Sequence, residues 1–225
     1  MIPRALMLVA HRERATASEH AAAMADWCAA NDVEFWMPSE DATVLGLGRH
    51  ASDRPPTDAD VVVSLGGDGT MLRSVHLLGG AAVPLLGVNL GSLGYLTEVE
   101  PEAMTSALER LCLGPDAGEW HLDERMMLDV AVNGEIVGRA LNEAVVEKRE
   151  SGHTVNLLVR IDGEPFTSYA TDGLIVSTPT GSTAYSLSAR GPVVSPKHRA
   201  LLVTPVAPHM LFDRSLVLDP SETVD

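Results

Sequence analysis

Gly66-Gly67-Asp68-Gly69-Thr70 stands between the apolar run Val61-Val62-Val63-Ser64-Leu65 and the helix-prone Met71-Leu72-Arg73-Ser74-Val75. A short apolar run bounded by turn residues predicts a strand buried on both faces, as in a parallel sheet. Glycines that close together let the chain turn sharply and bring bare backbone N–H groups up to a ligand. Thr70 is placed to cap the following helix, whose N-terminus favours negative charge. A carboxylate repels phosphate, so Asp68 needs a reason to sit in such a loop. It could hold a divalent metal, bind a ribose hydroxyl, or remove a proton. The P-loop pattern GxxxxGK[ST] is absent, and no third glycine completes a GxGxxG dinucleotide fingerprint.

Four further stretches carry chemistry. Asn89-Leu90-Gly91-Ser92-Leu93-Gly94-Tyr95-Leu96 follows a second apolar run and predicts another tight loop at a sheet's carboxyl end, where open α/β sheets place ligands. Asn142-Glu143 is read as the end of a strand, an amide and a carboxylate able to take two ribose hydroxyls. Asp172-Gly173 opens the apolar strand Leu174–Val176. Ser177 to Ser188 (STPTGSTAYSLS) crowds hydroxyls around one Pro and one Gly, a polar turn dense in donors and acceptors. Each taken alone is an ordinary cap or turn; together with Asp68 they form a constellation.

The elements that must position these residues change in kind along the chain. Up to about residue 118, strands and helices alternate: strand Ala5–Ala10, helix Ser18–Asn31, strand Val33–Met37, a loop over 38–58, strand 61–65, helix 70–78, strand Val83–Val88 and helix Glu102–Leu111, then a Gly/Pro connector at 114–118. That alternation predicts an α/β domain with a parallel sheet. In the remainder, Met126–Val132 meets Ile136–Leu141 across Asn133-Gly134, and Thr154–Ile161 meets Pro165–Tyr169 across Asp162-Gly163. Asn-Gly and Asp-Gly between apolar runs signal hairpins, because type I′ turns need φ > 0 at both central positions. The expected organisation is therefore an α/β domain over 1–118 and an antiparallel, β-rich, sandwich-like domain over 119–225.

Composition narrows the function. The 225 residues suffice for one large domain or two small ones, and 45% hydrophobic with 21% charged residues is a globular balance. A net charge of −15 argues against a nonspecific nucleic-acid binder and requires any anionic substrate to be held by local donors. No apolar run approaches the roughly 20 residues that span a bilayer, and Met1–Ala10 has the pattern of a first strand rather than a signal peptide. Cys28 and Cys112 are far apart without CxxC spacing, as expected for a reduced cytoplasmic protein. The eight histidines show no HExxH pattern, so no metal-ligating residues are assigned.

With these residues in view, the chain resembles the NAD kinase family, on GGDGT at 66–70, NLGSLGYLTE at 89–98, NE at 142–143, DGLIVSTPTGSTAYSLSA at 172–189 and the Pro205–His209 stretch. The resemblance implies the two-domain fold just described, with the active site in the cleft between the domains. It implies phosphoryl transfer from ATP or polyphosphate, with Mg²⁺ or Mn²⁺, to the adenosine-ribose 2′-hydroxyl of NAD. It also implies a homodimer or homotetramer working in the cytoplasm with neither nucleic acid nor membrane as partner. By resemblance Asp68 is the general base, with Gly69 beside it, and Arg73 falls at a dinucleotide-contact position. Asn142 and Glu143 resemble ribose ligands. Asp172 with Thr183, Ala184, Tyr185, Ser186, Leu187 and Ser188 resembles the nucleoside-recognition surface, and His153 and Ala207 fall at further contact positions.

The chain also departs from the family. Arg190-Gly191-Pro192 stands where Gly-Gly-Pro is common, so Arg190 is strained if φ must be positive there and otherwise adds a positive charge. Ala170 stands where many members carry a basic residue. Family members continue beyond the position of Asp225, which implies further strands. Two other readings share part of the pattern: a diacylglycerol-type lipid kinase with the same GGDGT, for which no basic amphipathic segment is present, and a non-catalytic NAD-binding protein of the same fold.

Overall fold

A computed structural model describes residues 3–91, 94–150 and 152–225. The chain divides into two compact units, Met1–Leu122 and Asp123–Asp225.

The first unit is a parallel sheet with helices. In chain order it comprises β1 (Ala5–Ala10), α1 (Ala15–Ala30), β2 (Glu34–Trp36), α2 (Ser39–Val44), β3 (Val61–Gly66), α3 (Asp68–Leu78), β4 (Leu85–Asn89) and α4 (Met104–Gly118). The sheet order is β2-β1-β3-β4, every pairing parallel. β1 and β3 are buried along their whole length, as their unbroken apolar runs require. Alternate residues feed two cores: Leu6, Leu8, Val61, Val63 and Leu65 pack with Ala21, Met24 and Leu108 on one face, and Met7, Val9 and Val62 pack with Trp36 on the other. Cys28 is fully buried in the first core, and burial pushes its thiol up to about 12, so it serves packing rather than chemistry.

Three local expectations are corrected here. Thr70 does not cap α3; the helix starts two residues earlier at Asp68, with Gly67 as N-cap, and Thr70 lies inside the first turn, buried. The segment expected as loop over 38–58 contains α2, opened by Pro38 and carrying Glu40 and Asp41 in its first turn. The connector at 114–118 is helical again after one break. Gly114 leaves the helix at φ 83°, Pro115 restarts a turn, and the Arg110 guanidinium ties it down by donating to the Gly118 and Glu119 carbonyls at 2.6 Å each.

The second unit is antiparallel. β5 (Leu128–Val132) and β6 (Glu135–Ala140) form one hairpin, and β8 (Val155–Ile161) and β9 (Glu164–Thr171) form another. Asn133 and Gly134 sit at φ 54° and 84°, and Asp162 and Gly163 at 51° and 80°, the paired positive values of the expected turns. A four-stranded sheet runs β12-β11-β10-β7, from β7 (Glu143–Glu147), β10 (Gly173–Ser177), β11 (Leu201–Val206) and β12 (Leu216–Leu218). The β8–β9 hairpin packs onto it through Val159 and Tyr169 against Leu174 and Val203. Asn142-Glu143 opens β7 rather than ending a strand, because Leu141 and Asn142 form the corner leaving β6. Among the described residues no helix is long and apolar enough to cross a membrane.

Candidate functional site

In the first unit the site is built where β3 ends. Gly66 closes the strand with no room for a side chain, since a Cβ there would lie 2.2 Å from the Thr70 hydroxyl. Asp68 is the first residue of α3, half-buried at the positive end of the helix. Its two carboxylate oxygens are each taken by a backbone donor from the other glycine loop: the Tyr95 N–H reaches Oδ2 and the Leu96 N–H reaches Oδ1, both at 3.0 Å. Gly94 must be glycine for this to happen, because a Cβ there would lie 2.4 Å from Asp68 Oδ1. The two loops, read separately in the sequence, are thus one unit fastened at the acid. Ser92 and Leu93, which belong to the second loop, lie outside the described residues. The Thr97 hydroxyl is buried beside Asp68 without a hydrogen-bond partner and lies 3.0 Å from the same Cβ position.

Arg73 lies in α3, and its guanidinium is held from within the protein. NH1 donates to Asp41 Oδ1 and NH2 to Asp41 Oδ2, both at 2.7 Å, and NH2 also reaches the Ala10 carbonyl. Asp41 is fully buried and also accepts from Arg12 Nε at 2.8 Å and the Ala10 N–H at 3.0 Å. Burial pushes the Asp41 carboxyl up, but Arg73, Arg12 and the Ala10 N–H outweigh it and hold it below the ordinary carboxylate range. Sequence reading missed Asp41. Its signal was the acidic pair after Pro38-Ser39, a helix-start pattern within a stretch taken as loop. A cavity of about 430 Å³ opens beside the glycine loop, lined by the residues after β1 and by Gly67, Gly69, Thr70 and Arg73.

In the second unit the candidate residues fall into two groups. At one end of β7 and β10, Asn142 and Glu143 meet the hydroxyl-rich turn. The Thr178 N–H donates to the Asn142 carbonyl at 2.9 Å, the Thr178 hydroxyl donates to the Leu141 carbonyl, and Gly181 packs so closely on Asn142 that a Cβ would lie 2.2 Å from its carbonyl oxygen. The short helix α5 (Tyr185–Ser188) follows, and the Tyr185 N–H donates to the Glu143 carboxylate. Burial pushes the Glu143 carboxyl up, the Tyr185 N–H opposes this, and Oε2 stays buried with no hydrogen-bond partner. The cross-strand neighbour of Glu143 is Ser177, whose hydroxyl is likewise buried and unpartnered.

Many of the turn's hydroxyls face inward. Ser182 donates to the Pro179 carbonyl at 2.7 Å and accepts from the Val194 N–H at 3.0 Å, and Ser186 is fully buried in a chain of hydroxyls with Thr204 and Ser215. Tyr185, Leu187 and Ser188 are exposed, and Thr183 and Ala184 half-buried.

Asp172 lies at the opposite end of β10, roughly 17 Å away for five residues of extended strand. There Lys148 Nζ pairs with its carboxylate at 2.6 Å, and the Asp172 N–H donates to the Val206 carbonyl at 3.0 Å. Ala207, exposed and at φ 47°, follows Val206, and the exposed His153 precedes the strand whose first residue, Val155, pairs with Thr171. Arg190 takes φ 69°, the strained alternative of the two its position allowed.

Comparison with known proteins agrees with this two-part arrangement. A family model described as the ATP-NAD kinase N-terminal domain matches residues 6–115, and the ATP-NAD kinase C-terminal domain model matches residues 141–225. The NAD kinase of Geobacter metallireducens is 47% identical over 184 residues, covering 80% of this chain and 64% of the relative. That of Heliobacterium modesticaldum is 40% identical over 222 residues, covering 96% and 77%. Among solved structures, a yeast NADH kinase complexed with NADH superposes with a TM-score of 0.81 at 28% identity, covering 98% of this chain and 71% of that one. An NAD kinase from Archaeoglobus fulgidus in complex with ATP gives 0.74 at 26%, covering 98% and 79%. The chain spans under two thirds of the length of several curated relatives, 58% for that of Geotalea daltonii. A parallel α/β unit followed by an antiparallel β-rich unit is the two-domain fold of these kinases. The chain belongs to the NAD kinase family.

Proposed function

We propose that the chain transfers a phosphoryl group from ATP or polyphosphate to the adenosine-ribose 2′-hydroxyl of NAD, giving NADP. The observation that carries this reading is the fixing of Asp68. Two backbone N–H groups set its plane, yet each carboxylate oxygen accepts two hydrogen bonds, so one lone pair on each remains for a hydroxyl. The ribose oxygen forms its bond to the donor's terminal phosphorus as the bond to the bridging oxygen breaks. The hydroxyl proton passes to Asp68, and the electron pair leaves with the shortened donor.

Asn142 and the unpartnered Glu143 Oε2 serve as ribose ligands, and the exposed surface of Thr183–Ser188 beside them receives a nucleoside. Asp172, His153 and Ala207, one strand length away, suit the other end of an extended dinucleotide. Among the described residues no group of three or more His, Cys, Asp or Glu is placed to hold a metal. A divalent cation carried by the donor's phosphates would supply charge neutralisation during transfer.

The test is direct: the protein is incubated with NAD, Mg²⁺ and either ATP or polyphosphate, and NADP is measured. Product with one donor selects it; absence of NADP with both removes the reading.

A further inference from the structure

We propose that Thr97 is a positioning residue for Asp68: its hydroxyl takes the open lone pair of Oδ1 during the reaction, so that Oδ2 alone receives the substrate's proton. This rests on the phosphoryl-transfer reading and gives the two oxygens of the acid different tasks within it. Their surroundings already differ. Oδ2 accepts from the N–H of Tyr95, a residue 72% exposed, whereas Oδ1 accepts from the N–H of the half-buried Leu96. A Cβ built on Gly94 would lie 2.4 Å from Oδ1 and 3.0 Å from the Thr97 hydroxyl, so both oxygens border one point, and the bare glycine keeps it clear. Oδ1 is thus the oxygen on the side of the buried hydroxyl, and Oδ2 the one at the exposed turn.

The rest of Thr97 sets the hydroxyl there. Its Cα and its methyl carbon pack on Gly87 in β4, where a built Cβ would lie 3.1 Å from each. The chain beyond it is laced to the same strand. The Glu98 and Val99 N–H groups donate to the Gly87 carbonyl at 3.3 and 3.1 Å, and the Asn89 N–H donates to the Val99 carbonyl at 2.8 Å. A β-branched side chain has few rotamers to choose from. With the methyl on Gly87, the hydroxyl is left on the side of Gly94.

That hydroxyl is costly to the fold. It is buried without a hydrogen-bond partner, and valine would fill the same shape without the polar group. Asp68 is the neighbour with acceptors to offer, since the two N–H groups leave one lone pair open on each oxygen. With both open, an incoming hydroxyl meets two acceptors that point in different directions. With Thr97 on Oδ1, three donors hold the carboxylate and one direction remains, the gain that prior orientation gives a reacting group. The bond supplies direction, not basicity. Because the hydroxyl is unpartnered in the free protein, the bond is one that closes with substrate in place.

The experiment measures kcat, the KM for NAD and for the donor, and the melting temperature of Thr97→Val and Thr97→Ser, each alone and combined with Asp68→Asn. In Thr97→Val, kcat should fall by about tenfold or more, as expected when a hydrogen bond to a charged group is lost, with both KM values within about twofold of wild type. Its melting temperature should equal or exceed that of the wild type, because the free protein loses no bond. Thr97→Ser keeps the hydroxyl and should restore most of the turnover while melting lower, having lost the methyl on Gly87. In the Asp68→Asn background, Thr97→Val should have little further effect, since the two changes act through one interaction. Should Thr97→Val fail to fold, Thr97→Ala removes the hydroxyl without filling its space and is read by the same split. Wild-type kcat in Thr97→Val, an equal loss in Thr97→Ser, or an undiminished effect on top of Asp68→Asn would each overturn the proposal and leave the kinase reading standing. A wild type that forms no NADP with either donor removes that reading, and the proposal with it.

Discussion

Asp68, two residues past β3 at the start of α3, and Glu143, at the start of β7, are both half-buried acids, one in each unit, and the protein treats them in opposite ways. Asp68 is supplied with backbone donors from a second loop, and Gly94 is kept bare to let it in. Glu143 receives one N–H, from Tyr185, and is then buried with Oε2 and the neighbouring Ser177 hydroxyl left without partners. An acid that must meet a reacting atom is oriented before the substrate arrives. An acid that must grip a substrate is left short of partners, at a cost in stability, so that the ligand completes it. The contrast fits the roles proposed for them, Asp68 as the base and Glu143 as a ribose ligand.

The largest expected effect tests the first half of that contrast. Asp68→Asn removes the proton acceptor and turns an amide N–H₂ toward one of the two N–H donors, so turnover should fall by roughly 10²-fold or more. NAD affinity should change far less. Gly94→Ala should give a comparable loss with the acid intact, because its Cβ displaces Oδ1. Near-normal turnover in Asp68→Asn, with NAD binding intact, would show the acid to be structural.

How the acid is held was only partly legible in the sequence. The buried strands, the parallel and antiparallel halves and both type I′ hairpins were readable, since each rests on spacing within about ten residues. The glycine loops were visible as two loops, but not as one fastened unit, because the Asp68–Leu96 bond joins residues far apart in the chain. For the same reason Arg73 drew attention as a ligand while its buried partner, Asp41, went unseen. The hydroxyl-rich turn was recognised by composition, which does not say that Ser182 and Ser186 point inward.

Asp41 supplies the next test. With Asp41→Asn, the Arg73 and Arg12 guanidiniums lose their shared counter-charge, and stability should fall by about 3 kcal/mol, the low end for breaking a buried pair whose cations are partly solvated. The pH dependence has a definite sign. A carboxyl whose folded pKa lies below its unfolded value stabilises above the unfolded value and loses that contribution as pH falls through the folded one. The gap between wild type and variant in chemical denaturation should therefore close in acid. A gap that persists unchanged at low pH would mean packing, not charge, is what the variant lost.

Glu143 should show the reverse linkage. Its carboxyl is raised by burial, so its contribution is fully present below the unfolded value, near 4.5, and is lost as pH rises through the folded value. Glu143→Gln keeps an acceptor for the Tyr185 N–H and does not titrate, so it should match wild type in acid and exceed it at neutral pH. Glu143→Ala should weaken NAD binding by about tenfold, the worth of one hydrogen bond to the ribose, and leave the donor's requirement nearly unchanged. Equal weakening of NAD and donor would place Glu143 outside the ribose contacts.

The smallest effect concerns two adjacent residues behind the hydroxyl-rich turn, and it should have opposite signs. Arg190 follows α5 in the left-handed region at φ 69°, with its N–H donating to the Leu187 carbonyl at 3.0 Å. That is the position where a helix end asks for glycine, and an exposed arginine there carries backbone strain without burying its side chain. Arg190→Gly should relieve the strain but add freedom to the unfolded chain, leaving a net gain of about 0.5–1 kcal/mol. The next residue is glycine for a different reason. A Cβ on Gly191 would lie 2.2 Å from the Ser186 hydroxyl oxygen and 2.8 Å from its carbonyl oxygen, in the buried hydroxyl chain with Thr204. Gly191→Ala should therefore destabilise, by about 1–3 kcal/mol for overpacking a buried site, and should loosen the Tyr185 N–H that holds Glu143. Thermal melting of the two variants decides the point: a rise for the first and a fall for the second are expected, and a fall for Arg190→Gly would show that the arginine side chain contributes more than its backbone costs.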